Sequence, residues 1–183
     1  ANIPPELLAA AVATGVWPLA RAVAYARQSA DPGHRAQTLG LLLSAVGEPE
    51  RGELAREALA AARANASADL GNWILRDLAA RLLRFGYTAE ALAAAAVIDA
   101  WNVRAEVLDL AAPHLSPELL SEALALAVAT PYPAGRAAGL LALAPHLPPP
   151  ELERARALAA AIAEGTGRSR ALAGLAQYLP EPA

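Results

Sequence analysis

The sequence contains no cysteine. Disulfides, thiolate nucleophiles and thiolate metal sites are excluded together, and the redox compartment is left open. Lysine is absent too, arginine supplying all 15 basic residues, so a phosphate-loop or Schiff-base lysine is ruled out. Aromatic residues make up only 4% of the chain against an apolar fraction of 56%. The core must therefore be built from alanine and leucine, which have the highest helix propensities. A net charge of −3, with no basic run, gives no electrostatic reason to approach a polyanion, so no nucleic-acid partner is expected. The apolar runs at 39–46 and 91–98 fall far short of the ~20 residues needed to cross a bilayer, so no membrane partner is expected either. The start, Ala-Asn-Ile-Pro-Pro-Glu, lacks the basic and apolar regions of a secretory signal, and a cytoplasmic location is the expectation. There is no Gly-rich loop after a strand, and no Ser/His/Asp order stands out. Carboxylate pairs such as Glu118 with Glu122 are explained by helix surfaces. No catalytic residue, cofactor or metal site is assigned, and the chain is read as a non-enzyme.

What the sequence does contain is a repeat. The stretch from Arg136 to Glu151 reads Arg-Ala-Ala-Gly-Leu-Leu-Ala-Leu-Ala-Pro-His-Leu-Pro-Pro-Pro-Glu. Thirty-two positions earlier stand Arg104 and, at 110–118, Leu-Ala-Ala-Pro-His-Leu-Ser-Pro-Glu; thirty-two later stand Arg168 and, at 175–181, Leu-Ala-Gln-Tyr-Leu-Pro-Glu. A period in this range marks an array of helix pairs, each too small to bury its apolar face alone.

Along the chain, Pro, Gly and capping residues punctuate apolar stripes of helical spacing. They predict helices over about 4–14, 18–29, 35–47, 48–64, 67–86, 88–98, 102–114, 116–130, 134–146, 149–164 and 166–179, with no strand. Ser67 or Asp69 is the expected cap of the fifth. Val23, Leu59, Leu92, Leu124 and Leu158 mark equivalent positions on the second helix of each pair, 32 to 36 residues apart. Connections of a few residues force successive helices to be antiparallel neighbours. The expected fold is all-α, an α-solenoid (α-α superhelix) of about five antiparallel helix pairs forming a single domain over 1–183.

The stretches Asp31-Pro32-Gly33-His34-Arg35 and Asp99 to Arg104, with the pattern Arg-Ala-x-x-Leu-x-x-Leu-Ala-Pro-His-Leu-x-Pro, resemble bacterial HEAT-like or TPR-like helical repeats. More narrowly, they are similar to repeat arrays attached to NACHT-type signalling ATPases. The Trp, Gly, Tyr and Pro offsets of the TPR consensus are missing. The resemblance implies a bacterial helical-repeat scaffold, with any ATPase on a separate segment.

Candidate partner-binding residues fall into two groups. Arg35, Arg104, Arg136 and Arg168 recur at the start of the first helix of each pair, with Asp31 and Asp99 just upstream. They could bind an acidic peptide or phosphate. Arginine is disfavoured at a helix N-terminus, however, and the structural alternative is a ladder braced by carboxylates or by carbonyls of the preceding turn. Trp17, Trp73, Trp101 and Tyr132 lie at helix starts and turns, where they could anchor a partner or plug a turn against the next repeat. His114, His146 and Tyr178 share one repeat position, where an imidazole could cap a helix C-terminus. His34 is read as a turn residue. Residues 66–130 carry an acidic excess to which a basic partner could dock. The terminal half-repeat leaves Leu172, Leu175 and Leu179 without a following helix, so it is either a cap or a homo-oligomer contact. These readings converge on a non-catalytic protein or peptide interaction module. The alternatives are an enzyme with a pocket on the concave face, or the sensor segment of a larger signalling protein.

Overall fold

The computed structural model of the chain describes residues 3–65, 69–163 and 165–179. Among these there are eleven α-helices, three single-turn 3-10 helices and no strand, so the all-α class is observed. The chain packs as two compact units, residues 1–99 and 100–183. The first holds α1 (Pro5–Ala13), α2 (Leu19–Gln28), α3 (Pro32–Leu42), α4 (Glu50–Ala64), α5 (Asp69–Arg84) and α6 (Thr88–Ala95). The second holds α7 (Trp101–Ala111), α8 (Pro117–Val128), α9 (Pro133–Leu143), α10 (Pro149–Ala160) and α11 (Gly165–Leu175).

Local chemistry sets the helix edges. Proline opens α1, α3, α8, α9 and α10, where its missing N–H costs no helical bond and its fixed φ suits the first turn. The Asp31 carboxylate accepts from Gly33 N at 2.9 Å, and Ser116 Oγ accepts from Leu119 N at 3.4 Å, two side-chain N-caps. After α1 and α5 the chain reverses at Gly15 (φ 73°) and Gly86 (φ 81°), a left-handed conformation that a Cβ would strain. Ser67, the alternative cap of α5, lies outside the described residues.

The helices expected to run to Gly47, His114 and His146 stop earlier. α3, α7 and α9 each tighten into one 3-10 turn, at Leu43–Ala45, Ala112–His114 and Ala144–His146. The chain then becomes extended at Val46, Leu115 and Leu147. In the last two, proline at 113 and 145 lacks the N–H that an α-turn needs. α6 and α10 also end short of their expected limits, at Ala95 and Ala160.

Within each unit the helices form two layers. In the first, α1 packs on α3 and α3 on α5, while α4 packs on α6; in the second, α7 packs on α9 and α9 on α11, while α8 packs on α10. Directions follow from side chains near small residues. A Cβ at Gly33, near the start of α3, would lie 3.1 Å from Ile74 Cδ1, and one at Gly40, further along, 3.2 Å from Leu78 Cδ1; α3 and α5 are therefore parallel. The start of α4 meets the end of α3, Arg51 Nε donating to Leu43 O at 3.0 Å. The end of α4 returns to the start of α3, Asn65 Nδ2 lying 3.0 Å from the Cβ position of Gly33, so α4 is antiparallel to both. Each unit thus stacks helix pairs in the manner of an α-solenoid.

The core is aliphatic, as a chain poor in aromatics requires. Leu8, Leu39, Leu42, Leu75, Leu82 and Leu92 are fully buried in the first unit, and Leu108, Leu124, Leu140 and Leu143 in the second. Each such leucine is worth about 2–5 kcal/mol on truncation to alanine. Of the repeat markers, Val23, Leu59, Leu92 and Leu124 are buried and Leu158 is half-buried. Side chains tie even-numbered helices to one another. Arg27 grips Glu57 with two bonds of 2.9 and 2.6 Å between α2 and α4, and Arg154 donates to Ser121 Oγ between α10 and α8.

Candidate interaction surfaces

The arginine ladder is engaged with backbone. Arg35 Nη1 donates to Ser29 O at 3.2 Å, at the end of α2, and Arg136 Nε donates to Thr130 O at 2.8 Å, just past α8. Both bonds reach back six residues, the same contact in two copies of the repeat. Arg104 Nη1 donates to Ala129 O at 3.0 Å, so arginines from α7 and α9 together hold the C-terminal end of α8. All three guanidinium groups are on half-buried residues. Each supplies a charge-assisted bond to a carbonyl that the helix end leaves unsatisfied. Asp31 caps its own helix, and Asp99 donates its backbone N–H to Asn72 Oδ1 at 3.0 Å. Arg168 is exposed, with no partner among the described residues.

The four aromatic candidates divide in two. Trp17 is half-buried, edge-to-face with Tyr25 at 6.0 Å, with the Arg21 guanidinium 4.5 Å from its ring centre. Trp101 is also half-buried; a Cβ at Gly135 would come within 2.8 Å of its Cβ, so the indole starts where α7 and α9 are in closest contact. Trp73 and Tyr132, by contrast, are 49% and 57% exposed.

His114, His146 and Tyr178 are all exposed. The two imidazoles make no hydrogen bond among the described residues. The 3-10 turns close those helix ends instead, through Leu115 N to Ala112 O and Leu147 N to Ala144 O, at 3.4 and 3.3 Å. Capping by the imidazole is therefore not what terminates α7 and α9. His34 lies in the first turn of α3, not in a turn outside it. Its Nε2 donates to Ile3 O at 2.8 Å while Ile3 N donates to Tyr25 Oη at 2.8 Å, fastening the segment before α1 to α2 and α3. Among the described residues no group of His, Asp or Glu is placed to hold a metal.

A polar cluster that sequence reasoning missed joins the α3–α4 and α5–α6 turns. Tyr87 Oη donates to Glu48 Oε1 at 2.6 Å, and Arg51 bonds Leu43 O and Val46 O while its guanidinium lies 4.5 Å over the Phe85 ring. Burial, and then the bond to Glu48, push the Tyr87 hydroxyl above its ordinary pKa. The acidic excess of 66–130 is divided between the units: positions 69, 77, 90 and 99 fall in the first, and 106, 109, 118 and 122 in the second.

On the odd-helix face of the first unit, a narrow cleft of about 50 Å³ runs between α1, α3 and α5 over Gly40, with Glu6, Gln37, Asp77 and Arg81 on its walls. Asp77 and Arg81 also line a wider hollow of about 200 Å³, which includes Ala80 and Arg84. Only Gly40 left a trace in the sequence: its repeat counterparts are Asp109, Leu141 and Ala173. At the other end of the chain Leu175 is fully buried, while Leu172 and Leu179 are half-buried. Leu175 thus faces inward; residues 180–183 are outside the described residues.

No protein-family model, characterised protein or solved structure matches the chain. No described helix is long and apolar enough to cross a membrane.

Proposed function

We propose that the chain is a non-catalytic protein–protein interaction module. The observation that supports this best is the outer face of α5, where Trp73 stands 49% exposed one turn from Leu70 at 61%. A large indole left in water on a rigid helix is the kind of side chain that becomes a binding hot spot when a partner covers it. The carbonyl bonds of Arg35, Arg104 and Arg136 support a bracing role for the ladder, leaving Trp73 and Tyr132 as the better partner contacts of the eight candidates. A role within a larger bacterial, cytoplasmic signalling protein of the HEAT-like or TPR-like kind belongs to the same proposal and rests on the sequence resemblance alone. Self-association through α11, the alternative to a capping role for the terminal half-repeat, has the half-buried Leu172 and Leu179 as its support, and light scattering at twice the 18.8 kDa chain mass is the result that would establish it.

The test is affinity purification of the tagged protein from its own cells, with Trp73→Ala and Tyr132→Ala beside the wild type. The expected result is a co-purifying protein that at least one substitution removes without changing the melting temperature. Identical recovery with both substitutions in place would contradict the assignment of these anchors.

A further inference from the structure

The geometry points to a peptide site in the α1–α3–α5 cleft, and we propose that it takes an extended segment carrying a single carboxylate side chain. The inference deepens the interaction reading and rests on it. It begins from Gly40. Where the other copies carry Asp109, Leu141 and Ala173, α3 has no side chain, and a Cβ there would already lie 3.2 Å from Leu78 Cδ1 and 3.7 Å from Arg81 Cδ. The missing side chain leaves the cleft open and lets the Arg81 stem lie across α3. Arg81 is consequently half-buried, with its aliphatic part held by packing. Its guanidinium has no partner among the described residues.

Charge is distributed unevenly along this face. Arg84 stands one turn beyond Arg81 and lines the same hollow of about 200 Å³, which is large enough for a carboxylate side chain. Asp77, further toward the N-terminal end of α5, is already paired with Arg76 at 3.0 Å. Glu6 lines the α1 wall without an ion pair among the described residues. An occupant therefore meets two cations in the hollow at the C-terminal end of α5, where the third charged group, Asp77, is already neutralised by Arg76, and one unpaired carboxylate, Glu6, beside the middle of the cleft. A carboxylate fits the first place, where a fork of guanidinium donors can hold both of its oxygens. In the second place acid is repelled and a neutral or basic residue is accepted. Trp73 and Leu70 continue the same face toward the N-terminus of α5 and offer an apolar residue of the segment a surface to cover. The recognised pattern is thus an apolar residue, a neutral or basic stretch, then one acid. A run of acidic residues would be rejected.

The experiment is selection of short random peptides on the intact protein, followed by fluorescence anisotropy with the selected sequences. The expected peptides carry one Asp or Glu, and replacing it with Asn or Gln weakens binding roughly tenfold, an effect that shrinks as salt is raised. Arg81→Gln with Arg84→Gln should cause the same loss, and should add little to that of the neutralised peptide, as two ends of one contact do. Gly40→Leu, which fills the cleft, should abolish binding. Because the arginines also complement the C-terminal end of the α5 dipole, each variant is checked by circular dichroism and melting temperature. Peptides without acid, or binding indifferent to both arginine and Gly40 substitutions in folded protein, would overturn the site while leaving the interaction reading intact. Failure to select any peptide would overturn it too, since the Trp73 and Tyr132 purification tests the broader reading independently.

Discussion

Gly139 shows how much of this packing depends on single atoms. A Cβ there would lie 2.8 Å from Ala127 Cα, a backbone atom that cannot turn aside, so α8 and α9 touch through the absence of a side chain. Gly139→Ala should therefore destabilise the fold by about 1–3 kcal/mol in urea denaturation, the usual cost of overpacking. Gly47 has nothing within 4 Å, and Gly47→Ala should be neutral or slightly stabilising; equal effects would contradict the account of close approach. Tyr87 provides a second residue-scale test. Its hydroxyl is pushed up by burial and by the bond to Glu48, so the fold favours the protonated form. The associated stability is present below the ordinary tyrosine pKa and is lost as pH rises through the raised folded value. Glu48→Gln should move the Tyr87 titration back toward the ordinary value, read from its ring carbon shift by NMR. At this scale the sequence was only partly legible. The recurring arginines announced themselves, and carbonyls of a helix end were among the partners open to them. The Tyr87–Glu48 bond spans 39 residues, and no local pattern encodes it.

Helices were the most readable objects, because Pro, Gly and apolar spacing act within a few residues of one another. Pro117 and Pro149 stand at helix starts as expected, Pro133 opens α9 one residue ahead of the expected start, and Gly15 and Gly86 follow helix ends. The 3-10 turn at Leu43–Ala45 was not legible, since it contains no proline, and Leu43 is buried there while Arg51 bonds the carbonyls of Leu43 and Val46. Trp73, read as a residue near a helix start that either anchors a partner or plugs a turn, stands on the wet side of α5; its spacing from Leu75 and Leu78 does not place it on their face. The start of α8 allows an element-scale prediction. Ser116 caps it, and the Glu118 carboxyl is held below its usual range by the hydrogen bond from Ser116 and then by its own backbone N–H. Ser116→Ala should cost about 1 kcal/mol and return the Glu118 titration toward normal. A depressed carboxylate pKa adds stability above its ordinary value and loses it as pH falls through the folded one. The difference between wild type and Ser116→Ala should accordingly narrow in acid; a gap that widens there would contradict the cap.

For the whole molecule, the period of about 32 residues revealed stacked helix pairs because each pair must cover its neighbour's apolar face. The same period concealed where a ligand would go. The α1–α3–α5 cleft is assembled from Glu6, Gly40 and Arg81, residues far apart in sequence that only the parallel stacking of odd-numbered helices brings to one face. Trp73 on that face carries the proposal that the chain works by being covered, and not by reacting. The most direct test places a photo-reactive phenylalanine analogue at Trp73 and, as control, at Glu57 on the ion-paired even-helix layer, then irradiates the cells that make the protein. The account predicts a discrete adduct with a second protein from position 73 and none from position 57. No adduct from position 73, or the same adducts from both positions, would contradict it.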